Sequence, residues 1–139
     1  MEKTQVGVAS GHDASLLIDL MGRDCLPEQY IREFIRNSIE AIQELDDPNG
    51  DIVIDCNWGL WDMNSELFKI SFIDNGTGMS PEQMCALLSN LCKSGEKNNN
   101  TKINYGVGAK ISALSRNPAG LLYESWQKNV GHKIFIYKK

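Results

Sequence analysis

The chain is poor in the residues that build covalent or metal staples. Four cysteines are spread through 139 residues and only two histidines are present. Cys25, Cys56, Cys85 and Cys92 form no C-x-x-C pair, and His12 and His132 lie far from one another. A zinc ribbon or finger is therefore not expected. The cysteines read as reduced thiols of a cytoplasmic protein. No run approaches the ~20 apolar residues of a membrane span. The first residues, MEKTQVGVASGHD, lack the apolar core of a secretory leader. The formal charge of −4 is small, so no global positive field attracts nucleic acid or an anionic membrane. Neither a membrane partner nor a nucleic-acid partner follows from composition. No internal repeat is visible.

What is present fits one ordinary globular domain, read here as residues 1–139. Hydrophobic residues make up 42% and charged residues 23%, and a chain of this length can bury a core without staples. Residues 27–45 carry Ile31, Phe34, Ile35, Ile42 and Leu45 at helical spacing, with Pro27 suited to a first turn. Pro48 and Asn49-Gly50 end that helix in a turn. Two strand-like runs follow at 51–58 and 67–74, joined by GLWDMNSE, which reads as a hairpin loop. Ser80-Pro81-Glu82-Gln83 has the form of a capping box and opens a helix to about Leu91. The polar segment 93–105 reads as an exposed loop. A helix is expected to follow Gly108, from Ala109 to Ser115, with a strand at 132–137 and a first strand at 14–20. This order gives an α+β fold, a two-layer sandwich with helices on one face of a mixed sheet.

Three segments carry candidate chemistry. On the first helix, Glu33, Asn37 and Glu40 fall within an arc of about 60° at 100° per residue. A solvated polar face explains them without function. The alternative is chemical: a glutamate can orient and deprotonate water for attack on a phosphate, and an asparagine oxygen suits weakly ligated magnesium. The second segment is DNGTGM, Asp74 to Met79. Asp74 continues the alternation of Phe68, Ile70 and Phe72, so its carboxylate should face the apolar side and need a partner there. An adenine amino group, aided by a water, would serve; so would a simple turn capped by Asp74. Gly76 and Gly78 leave room for a base or ribose, and Thr77 adds a hydroxyl. In the third segment, NYGVGAK, Gly106, Val107, Gly108 and Ala109 precede or open a helix whose free N–H groups can cradle phosphate. Lys110 either adds positive charge there or faces solvent. Lys93 and Ser94 either close over a ligand or belong to an ordinary loop. A lone G-x-G is weak, and neither a P-loop nor a Rossmann fingerprint is present.

Taken in order, these segments resemble the GHKL ATPases: gyrase B-type topoisomerases, ninety-kilodalton heat-shock chaperones, histidine kinases, MutL-type repair proteins and the MORC group. REFIRNSIEAI looks like the N box, DNGTGM like G1, NYGVGAKISALS like G2, and LCKSGEKN like the start of the ATP lid. The resemblance implies a Bergerat-type fold that binds ATP with Mg2+. It makes Glu33 the general base, Asn37 the magnesium ligand and Asp74 the reader of adenine. Glu40 stands at the position of the second N-box acid. Gly76, Gly78, Met79 and Thr77 then line the base, and Lys93, Ser94 and Gly106 to Lys110 the phosphates. Glu33 favours the hydrolysing branches, with turnover coupled to a conformational change or nucleotide-dependent dimerisation. The family usually adds several strands after G2 and borrows a cation from a following domain. Against that pattern the chain, with one strand after G2, reads as a fragment incomplete at its C-terminus or as a compact divergent form, with a downstream domain or protein partner implied. A nucleotide-binding module without independent turnover, and phosphotransfer of the histidine-kinase type, are the competing functions.

Overall fold

The computed structural model describes residues 19–20, 22–47, 49–63, 69–89, 107–117 and 119–137. Its elements are α1 (Gln29–Gln43), β1 (Ile52–Cys56), α2 (Trp58–Met63), β2 (Ile70–Asp74), α3 (Pro81–Ser89), α4 (Val107–Leu114), β3 (Leu121–Gln127) and β4 (Val130–Ile136). β1 pairs antiparallel with β2, placing Ile52 opposite Asp74, and β3 pairs antiparallel with β4, placing Leu121 opposite Ile136. The described residues thus form an α+β fold in which helices pack against small antiparallel sheets.

Helix α1 is the central element. It packs against α4, β1 and β2, while α4 also touches β3. Phe34 stacks on Phe72 of β2 at 5.1 Å and meets Tyr123 of β3 at 6.1 Å between ring centroids. One turn further along α1, Ser38 and then Ile42 are buried. Helix α4 is apolar around most of its circumference, as expected of a helix enclosed by its neighbours. Ala109, Ile111, Ala113 and Leu114 are all buried, and Met84 of α3 and Ile136 of β4 complete the described core.

The start of α3 follows its sequence signature. Ser80 N–H donates to Gln83 Oε1 at 2.7 Å, and Gln83 N–H donates back to Ser80 Oγ at 3.3 Å. This reciprocal pair satisfies two donors that a helix N-terminus otherwise leaves free. The Ser80 hydroxyl also bonds Glu82 at 2.7 Å and holds that carboxyl below its usual range.

Several expectations require correction. Asp19 and Leu20, expected at the end of a first strand, are helical, and residues 14–18 lie outside the described residues. The expected loop between β1 and β2 is partly occupied by the short helix α2. Two strands, not one, follow the G2-like segment. The unanticipated β3 joins β4 through Lys128 and Asn129, both with positive φ (52° and 64°). A two-residue turn of that hand matches the twist of the strands it connects. No described helix is long and apolar enough to cross a membrane.

Candidate functional site

The floor of the site is the junction between α1 and the end of β2. Asp74 is the last residue of β2, on the same side of the strand as Phe72. Since Phe72 stacks on Phe34, this side faces α1. The Asp74 carboxylate is held there by two donors. Ser38 Oγ donates to Oδ2 at 2.8 Å, and Gly76 N–H donates to Oδ1 at 3.0 Å. The second bond is the local turn cap that Asp-Asn-Gly favours. The first is different: it joins two segments 36 residues apart and originates from a side chain only 4% exposed. The partner that Asp74 requires is therefore supplied within the protein, and the remaining lone pairs of the carboxylate are available to a ligand. Ser38 was not among the residues singled out from sequence. Its position next to Asn37 was the available signal.

The loop after Asp74 is pressed against the same helix. Thr77 N–H donates to the Ala41 carbonyl at 3.1 Å. A Cβ on Gly76 would stand 2.7 Å from both the carbonyl carbon and the Cβ of Ala41, so glycine is required by close approach. Gly78 has φ +68°, and a Cβ there would collide with the Trp126 carbonyl of β3. On the other side of the loop, Met79 N–H donates to Ser125 Oγ at 2.7 Å, and Ser125 is buried. The glycines thus let one short loop lie between α1 and β3. In both cases the close neighbour is the protein's own backbone.

Glu33, Asn37 and Glu40 lie on the flank of α1, not on its solvated side. The Glu33 and Glu40 side chains are 21% and 28% exposed, against 73% and 70% for Arg32 and Arg36. Arg32 approaches Glu33 at 3.3 Å, and Arg36 bonds Glu40 at 3.0 Å. Both ion pairs involve well-exposed arginines and contribute little stability. Asn37 is half-buried and adjoins Ser38, so it stands beside the residue that anchors Asp74. On the far side of the helix, Glu28, Ile31, Arg32, Ile35, Arg36 and Ile39 line a shallow depression of about 470 Å³. That depression includes none of the candidate site residues.

At the G2-like segment, α4 begins at Val107, so Gly108 is inside its first turn and not ahead of it. The N–H groups of that turn are the donors a helix start leaves available to an anion. Lys110 is fully buried, which excludes the solvent-facing alternative. Gly106, Lys93 and Ser94 lie outside the described residues. Among the described residues, no group of three or more His, Cys, Asp or Glu side chains is placed to hold a metal. A magnesium ion held by one asparagine oxygen, phosphate oxygens and water needs no such group.

The geometry therefore joins the N-box-like helix to the G1-like loop through Ser38–Asp74 and Ala41–Thr77. The family described as histidine kinase-, DNA gyrase B- and HSP90-like ATPase matches the chain over residues 26–137. The chain belongs to this GHKL ATPase family. Searches of curated proteins and of solved structures return no match. The match spans the N-box-like, G1-like and G2-like segments together with β3 and β4. Family membership makes this an ATP-binding type of domain.

Proposed function

We propose that the protein binds ATP with magnesium and hydrolyses it to ADP and phosphate, with turnover coupled to a conformational change. In this reading Asp74 accepts a hydrogen bond from the adenine amino group, using a carboxylate already oriented by Ser38 and Gly76. Thr77, Met79, Gly76 and Gly78 shape the space around the base. The start of α4, with Gly106, Val107, Gly108, Ala109 and Lys110, receives the phosphates, and Lys93 and Ser94 belong to a lid over them. Magnesium, where bound, would neutralise phosphate charge, with Asn37 as its protein ligand. Glu33 accepts the proton of the attacking water as the water oxygen bonds the γ-phosphorus and the bond to ADP breaks. Glu40 supports the same water or its neighbours. The reading takes the two antiparallel pairs as parts of one sheet layer beneath α1 and α4, a Bergerat-type sandwich. A downstream domain or protein partner, and a nucleotide-dependent dimer, are the natural recipients of the conformational change.

The observation that supports this most strongly is the bond between Ser38 on α1 and Asp74 at the end of β2. The bond holds the Asp74 carboxylate against the helix that carries Asn37 and Glu33, which supports reading these residues as one site. The test is phosphate release by wild type and by Glu33→Ala, with binding of a non-hydrolysable ATP analogue measured on both. Release that disappears in Glu33→Ala while binding persists is the expected result. Release equal in both proteins removes Glu33 from the chemistry. Binding by both with release by neither makes the chain a nucleotide-binding module without independent turnover.

A further inference from the structure

Beneath α1 lies a layer whose polar side chains can be compared directly. Ser38 and Asp74 bond one another, and Ser125 accepts from Met79. Tyr123 is different. Its hydroxyl oxygen is buried and has no hydrogen-bond partner among the described residues. Tyr123 precedes Ser125 by two residues on β3, so both occupy one face of the strand, roughly 6–7 Å apart. Ser125 lies directly behind the G1-like loop, and the Tyr123 ring lies 6.1 Å from that of Phe34, the neighbour of Glu33. The Tyr123 ring therefore lies under the N-box-like helix, on the same strand face as the serine that holds the G1-like loop. Burial raises its pKa well above the usual tyrosine range, so it is a neutral donor at any working pH.

A buried hydroxyl without a partner is unfavourable, because desolvation is not offset. Phenylalanine would fill the same volume against Phe34 and strand no polar atom. We propose that the Tyr123 hydroxyl is a ligand-binding group: it donates a hydrogen bond to the bound nucleotide, directly or through one ordered water, and the ligand satisfies it. This rests on the nucleotide-binding reading and adds a contact from β3 to the N-box, G1 and G2 segments. The free protein then holds an unsatisfied donor that nucleotide binding completes, so part of the binding free energy comes from relief of that defect.

The test is Tyr123→Phe, with two readouts on the same preparation. One is the midpoint of thermal unfolding without ligand. The other is the calorimetric affinity for a non-hydrolysable ATP analogue with magnesium. The midpoint should rise by roughly 2–5 °C, because the stranded hydroxyl is gone. The affinity should fall about three- to tenfold, because the ligand loses a neutral hydrogen bond. These opposite signs separate the proposal from a purely structural role. A raised midpoint with unchanged affinity shows a stranded hydroxyl that no ligand uses and overturns the proposal. A lowered midpoint shows that the hydroxyl is already bonded in the free protein and overturns it as well. If wild type binds the analogue, the nucleotide reading stands whatever Tyr123→Phe does. If wild type does not bind it, the reading and this proposal fall together.

Discussion

Ser38→Ala is the most informative perturbation of the α1–β2 junction. The substitution removes one oxygen from a residue 4% exposed and leaves helix propensity nearly intact. It deletes the 2.8 Å bond to Asp74 Oδ2 but keeps the 3.0 Å bond from Gly76 N–H to Oδ1. A hydrogen bond to a charged acceptor is worth about 1.5–3 kcal/mol when water cannot replace it. Asp74 as a whole residue is exposed, so water can partly replace the lost donor. The loss of stability should therefore lie near the low end, about 1–1.5 kcal/mol. The larger consequence concerns binding. With one donor remaining, the carboxylate can rotate about its last bond, and its orientation toward a base is no longer fixed. We expect affinity for an ATP analogue to fall by about five- to twentyfold, the worth of roughly 1–2 kcal/mol. Urea unfolding and calorimetry on the same protein give both numbers. A protein destabilised as expected but binding with wild-type affinity would show that Ser38–Asp74 is a fold contact alone.

Gly78→Ala should be strongly destabilising, by more than about 2 kcal/mol, since it combines positive φ with a collision against the Trp126 carbonyl; denaturant midpoints measure it. Ser80→Ala removes one half of the α3 capping box and should cost about 1 kcal/mol, with nucleotide affinity unchanged. The tyrosine raised by burial predicts a pH dependence. The unfolded chain ionises Tyr123 near pH 10, whereas the native state holds its proton to higher pH. Its contribution to stability is therefore complete below pH 10 and is lost as pH rises further. Tyr123→Phe should flatten the alkaline limb of the stability profile, measured by urea unfolding between pH 9 and 11.

The parts of the fold with local chemistry were legible in the sequence. Ser80-Pro81-Glu82-Gln83 specified its own hydrogen bonds, and they form as the pattern requires. The alternation through Phe72 placed Asp74 on the α1 side, where Ser38 meets it. What escaped was set by tertiary context. Strand β3 carries large apolar residues on both faces: Leu122 and Trp126 are exposed, while Leu121 and Tyr123 turn inward. No clean alternation marks it, and its turn uses Lys128-Asn129 with no glycine as a signal. The short apolar run ending at Leu20 suits helix and strand equally, and Asp19 and Leu20 are helical. At the site, the glycines announced close approach, but not that Ala41 and Trp126 would be the neighbours. The exposed side of α1 is the arginine side, and it includes Ile39.

In the proposed function Asp74, held between Ser38 and Gly76, recognises the base of a bound nucleotide. Calorimetric titration of wild type and of Asp74→Asn with a non-hydrolysable ATP analogue and magnesium tests it most directly. Wild type should bind saturably, and Asp74→Asn, still unfolding cooperatively, should bind at least a hundredfold more weakly or not at all. Wild-type protein that binds no analogue, or a folded Asp74→Asn that binds as tightly as wild type, would contradict it.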